Sequence, residues 1–198
     1  MKKRVVIAII ISVALALALC ACEVTINVSQ ADYDKLTSML DSAYSGWTLT
    51  VSTTKGDVTL ENKFVVTKET EQTKIDYTVE KLNELSMDSD SEFKTRYVGT
   101  ATIVDGKITS INGDEVSVEL EKLDKVGLTF KTDYFQNAKM TANAISADVK
   151  DPSGFLGVDV TCSDMKLVAS FGEKFDYIRI SYKTEDGSTV VYNYDFAA

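Results

Sequence analysis

Residues 165–196, MKLVASFGEKFDYIRISYKTEDGSTVVYNYDF, decide the fold. Met165, Leu167 and Ala169 share one face, Ile178, Ile180 and Tyr182 a second, and Val190, Tyr192, Tyr194 and Phe196 a third. Successive strand side chains point to opposite faces, so each run is a strand with one apolar side. The links between them are short enough only for hairpins. Gly172-Glu173 has Gly first, the order a type II′ turn prefers, and a two-residue loop there pairs Leu167 with Ile178 and Met165 with Ile180. The last link tests the register directly. A two-residue loop at Asp186-Gly187 sets Ile180 opposite Asn193. A three-residue loop, Glu185-Asp186-Gly187, pairs Tyr182 with Val190, Ile180 with Tyr192 and Ile178 with Tyr194. A slip of one residue turns a whole apolar row to water, so the longer loop is expected, with Gly187 left-handed.

The same period continues upstream. Trp47, Leu49 and Val51 share a face, as do Val58, Leu60, Phe64 and Val66, with Lys55-Gly56 between the runs. A two-residue loop there pairs Val51 with Leu60 and Trp47 with Phe64. Ile75, Tyr77 and Val79 make a third strand. Tyr97–Val104 and Lys107–Ile111 flank Asp105-Gly106, a strong hairpin signal that sets Ile103 opposite Ile108. One segment breaks the pattern. Ser29 can cap a helix with Asp32 at its third position, and Tyr33, Leu36, Met39, Leu40, Ala43 and Tyr44 fall on one helical stripe. The expected helix is Gln30–Ser45, closed by Gly46. In the middle, Val116, Val118 and Leu120 fit either a strand or a helix opening at Asp114. Lys139–Val149 reads as strand with a change of phase, and Asp151-Pro152-Ser153-Gly154 as a type I turn.

These elements predict a mainly β (α+β) fold of about nine or ten strands: a curved antiparallel meander, half-barrel or barrel-like, with one N-terminal helix. A β-sandwich is the alternative, because one helix cannot cover so wide an apolar face. The length of 198 residues fits one such domain, and 44% apolar residues suffice for a packed core. A net charge of −9 argues against nucleic acid as a partner. The absence of His removes the Ser-His-Asp triad and every His metal site.

Met1-Lys2-Lys3-Arg4 is basic, and Val5 to Ala21 is apolar except for Ser12 and Cys20. That order is the pattern of a secretory signal, and the segment is short for a permanent span. Its end, Leu19-Cys20-Ala21-Cys22, resembles the lipobox of bacterial membrane lipoproteins. The resemblance implies cleavage before Cys22 and acylation of its thiol. Residues 1–21 would be the signal peptide and residues 22–198 a single lipid-anchored domain on the outer face of the cytoplasmic membrane or the cell surface. Cys20 is the rival acceptor, but bulky Leu19 precedes it where a small residue is wanted. Processing removes Lys2, Lys3 and Arg4 and no acid, which moves the net charge to −12. Anionic lipid repels so acidic a surface, so the anchor has to supply attachment. The helix followed by a long meander also resembles, in architecture alone, the half-barrels of lipoprotein-carrier-like proteins.

Chemical motifs are sparse. Ser52-Thr-Thr-Lys55 and Ser163-Asp-Met-Lys166 match S-x-x-K, but both lie on expected strands and no S-D-N or K-T-G follows. Asp88, Asp90 and Glu92 begin like a calcium loop, yet Phe93 and Gly99 stand where Gly and Glu are required. Cys162 shares parity with Val158 and Val160, which suggests a buried strand face. No basic cluster near it would lower a thiol pKa. No catalytic residue, metal site or cofactor is expected. Tyr177, Tyr182, Tyr192 and Tyr194 crowd the last two strands. The expected function is non-enzymatic binding of a hydrophobic or lipid-like small molecule in a cleft of the sheet, lined by Trp47, Phe64, Tyr192 and Tyr194. The alternative is a surface structural or protein-interaction module without a cavity.

Overall fold

The computed structural model describes residues 28–41, 44–82 and 94–196. It is one open antiparallel sheet of ten strands in the order β5-β4-β3-β2-β1-β10-β9-β8-β7-β6. The strands are β1 (Gly46–Lys55), β2 (Val58–Lys68), β3 (Thr73–Leu82), β4 (Lys94–Val104), β5 (Lys107–Gly113), β6 (Phe135–Met140), β7 (Ala144–Val149), β8 (Cys162–Phe171), β9 (Phe175–Thr184) and β10 (Thr189–Phe196). Helix α1 (Gln30–Leu40) precedes them and α2 (Pro152–Leu156) follows β7. Two meanders run side by side, and β1 and β10 join them at the centre. The sheet is therefore neither closed into a barrel nor doubled into a sandwich.

The final hairpin has the expected register. Tyr182 pairs with Val190, Ile180 with Tyr192 and Ile178 with Tyr194. Gly187 has φ 80°, and its N–H donates to the Thr184 carbonyl. Ile103 likewise faces Ile108, across a turn in which Asp105 and Gly106 both take positive φ.

Two other hairpins differ by a register step of two, which leaves every side chain on its expected face. The β1–β2 loop is Gly56-Asp57, so Trp47 pairs with Val66 and Leu49 with Phe64. Lys55 remains in the strand, where its ammonium reaches Asp186 at 2.8 Å. Between β8 and β9, Leu167 pairs with Ile180 and Ala169 with Ile178. Gly172 has no positive φ, so the turn is not type II′. The loop is three residues long, and Asp176 bulges out between the pairs Ser170–Tyr177 and Phe171–Phe175. That bulge turns Phe175 inward to meet Phe171 edge-on at 5.9 Å. A plain two-residue turn would have left Phe175 on the polar side.

Helix α1 starts as expected: the Ser29 hydroxyl accepts from Asp32 N–H, and the Asp32 carboxylate accepts from Ser29 N–H at 2.8 Å. The Ser29 hydroxyl, donating to that carboxylate at 2.7 Å, and the Ser29 N–H hold the Asp32 carboxyl below its ordinary range. The helix ends at Leu40, earlier than the stripe suggests. Tyr44 leaves it to pack on Phe196, centroids 4.5 Å apart, while its hydroxyl accepts from Phe175 N–H. Gly46 is no helix stop. It opens β1 where a Cβ would collide with the Val66 carbonyl, so its missing side chain lets β2 approach.

The middle of the chain resolves into neither alternative. Consecutive strands β5 and β6 lie at opposite edges of the sheet, so residues 114–134 cross its apolar face as a strap. Ten strands span ~43 Å at ~4.8 Å spacing, well within the ~66 Å reach of twenty residues. The strap holds 3-10 turns at Leu120–Asp124 and Thr132–Tyr134, and it buries Leu120, Leu128 and Phe130. The phase change after Lys139 is a turn between two short strands, and β6 carries a bulge at Asn137, φ 52°. Asp151 caps α2 instead of opening an isolated turn. Both free edges are bulged, β5 at Thr109 and β6 at Asn137, which makes each a poor template for another strand.

Candidate functional site

Trp47, Phe64, Tyr192 and Tyr194 gather on the apolar side of β2, β1 and β10, as their parity requires. Leu49 lies between Phe64 and Tyr194, and Val51 faces Tyr192. Trp47, Phe64 and Tyr194 are core residues, only 6%, 3% and 9% exposed. The Lys68 ammonium sits 5.5 Å above the Trp47 ring. Tyr192 is half-buried and stacks on Tyr182 at 6.1 Å. Burial pushes the Tyr182 and Tyr194 hydroxyls well above their usual pKa. Tyr177 belongs to the opposite face, between Asp195 and Ser170.

Two structures cover this apolar face. Over β6–β10, Tyr33 of α1 stacks on Phe135 at 5.1 Å, and Phe130 of the strap meets Phe135, Phe155 and Phe175. Over β2–β5 the strap is fastened by polar groups. Lys68 Nζ bonds the Asp124 carboxylate at 2.5 Å and the Thr73 hydroxyl at 2.9 Å. Burial would raise the Asp124 carboxyl, but the bonds from Lys68 and Thr73 outweigh it and hold it below the usual range. The Tyr77 hydroxyl donates to the Asp114 carbonyl.

The opposite, outer face carries an open groove of about 490 Å³ across β2–β5. Lys63, Arg96, Val65, Val98, Asp76 and Asn112 are among its walls. No sequence motif pointed to it: alternation marks these positions only as solvent-facing. Its floor is pinned. Asp114 brackets Val98, its N–H donating to the Val98 carbonyl and its carboxylate accepting from Val98 N–H at 2.9 Å. Gly99 has no side chain where the Tyr77 hydroxyl lies. Val98 is 50% exposed and gives the groove an apolar patch.

The S-x-x-K matches do not form active pairs. Ser52 and Lys55 point to opposite faces of β1, and Lys55 is ion-paired to Asp186. Ser163 and Lys166 are separated by the bulge that contains Asp164. Cys162 is half-buried at the start of β8, and burial raises its thiol pKa. Val158 is exposed and precedes the strand, so the expected buried face begins later, with Met165. Cys20, Cys22 and the rest of the lipobox lie outside the described residues, as do Asp88, Asp90 and Glu92. No family model matches the chain, and neither does any curated protein.

Proposed function

We propose that the chain is a lipid-anchored, extracytoplasmic, non-enzymatic binding module that meets its partner through the outer face of the sheet. One observation carries the choice of face: Trp47, Phe64 and Tyr194 on the apolar side are buried in the core, while the open groove lies on the polar side. The lipobox-like Leu19-Cys20-Ala21-Cys22 supports the anchor, and Val28 already packs against the core. A domain starting so close to Cys22 would sit near the bilayer surface. Radiolabelled palmitate should mark the wild type and Cys20→Ala but not Cys22→Ala. Label lost with Cys20→Ala and kept with Cys22→Ala would move the anchor to Cys20.

A second reading, a hydrophobic ligand on the apolar side, is favoured by the half-buried strip of Val51, Leu60 and Tyr192 beyond the edge of the cover. Native mass spectrometry of the purified chain separates the two. The outer-face reading expects no lipid beyond the covalent anchor. A retained one-to-one lipid or fatty acid would favour the second.

A further inference from the structure

We infer that the outer groove is a site for an oxyanion, a carboxylate or phosphate group, carried on a short apolar body; this rests on the outer-face reading above. Lys63 and Arg96 supply the positive end. Neither is ion-paired among the described residues. They stand two strands and one side-chain step apart, ~12 Å between backbones, and two long side chains can close that gap over Thr78. Arg96 offers a planar fork for two oxygens, and Lys63 a point charge. Glu80, the cross-strand neighbour of Arg96, is engaged elsewhere: its carboxylate accepts from Glu61 N–H at 3.0 Å and lies 3.7 Å from Lys94.

Val98 lies in the same row as Lys63 and Thr78, and Val65 and Asp76 are cross-strand neighbours one row on. The two valines give the groove its apolar wall, while Asp76 accepts from the Thr100 hydroxyl at 2.6 Å and lies 3.8 Å from the Lys74 ammonium. A second anionic group beside Asp76 would be repelled, so the ligand has one anionic head and a neutral or cationic tail. The location is notable in a chain of net charge −9. Lys63 also belongs to a row without acids that crosses the sheet through Val98, Thr78, Thr50, Asn193 and Arg179.

Three probes with one ring test the inference: phenylacetate, phenyl phosphate and benzyl alcohol, titrated into the 15N-labelled full chain in neutral detergent. Saturable amide shifts at Thr78, Val98 and Gly99 are expected with either anion and not with the alcohol. The stronger anion identifies the head group as carboxylate or phosphate. The double variant K63Q/R96Q, at two exposed positions, should bind at least tenfold more weakly with an otherwise unchanged spectrum. K139Q, on the far edge strand, should match wild type. Absence of saturable shifts with both anions, equal shifts with benzyl alcohol, or undiminished binding in K63Q/R96Q would overturn the inference. Such a failure leaves the outer-face reading standing, whereas a lipid retained in the mass spectrum would strike that reading first.

Discussion

Over β6–β10 the apolar face is sealed by rings, whereas over β2–β5 it is sealed by a strap fastened with polar bonds. In the first region Tyr33, Phe130, Phe135, Phe155 and Phe175 lie with centroids 5.1 to 5.9 Å apart. In the second, Leu120 supplies apolar contact while Lys68, Thr73 and Asp124 make the fastening. Ring packing is indifferent to charge state, and a carboxylate–ammonium clasp is not. The two halves of one continuous sheet should therefore respond differently to the same perturbation. The outer groove belongs to the clasped half, where Asp114 and Tyr77 fix the backbone.

Phe130→Ala should have the largest effect, about 3–5 kcal/mol in urea unfolding. Phe130 touches three other rings from within the strap, so its loss removes the feature that sets the two regions apart. A cost under about 1 kcal/mol would mean that the strap contributes little to the ring cluster.

Gly187→Val comes next, at about 1–2 kcal/mol, because a β-branched residue is forced to positive φ. Gly187→Asn should cost less, since Asn enters that region more readily. Equal costs for the two would mean that the turn relaxes to another conformation.

Asp124→Asn should cost least, about 1 kcal/mol at pH 7, because the clasp is partly open to solvent. Its pH dependence is the sharper measurement. The folded carboxyl is held below its ordinary range, so its contribution is complete above the unfolded value of about 3.9 and is lost as pH falls through the folded value. The gap in urea midpoint between wild type and Asp124→Asn should therefore close below about pH 4. Phe130→Ala should keep its gap there. Parallel behaviour of the two variants would erase the distinction between the regions.

Much of the sheet was legible in the sequence because hairpins are local. A turn and two apolar rows constrain each other, and Tyr182, Val190 and Gly187 left one register open. Registers drifted by two where an unseen feature intervened, the Asp176 bulge before Phe175 or the extra strand residue at Lys55. Alternation cannot detect such a step, because it leaves every side chain on its own face. The outer groove was invisible for a related reason. Lys63, Arg96 and Val98 come from three strands, and only their lateral pairing makes them neighbours.

Outside residues 114–149, the sequence by itself determined which segments form strands and which face each strand buries, and it also determined where α1 begins and how the final hairpin closes. Those features depend on contacts within a few residues or across one turn. Only the tertiary structure decided that β1 pairs with β10, which joins the two meanders into one sheet, and that residues 114–134 cross its apolar face. Both depend on contacts between residues far apart in the chain, which no local period encodes. The strap lacks a strand partner, so neither period two nor period 3.6 governs it. Leu120, Leu128 and Phe130 are spaced instead by where the sheet beneath them has room.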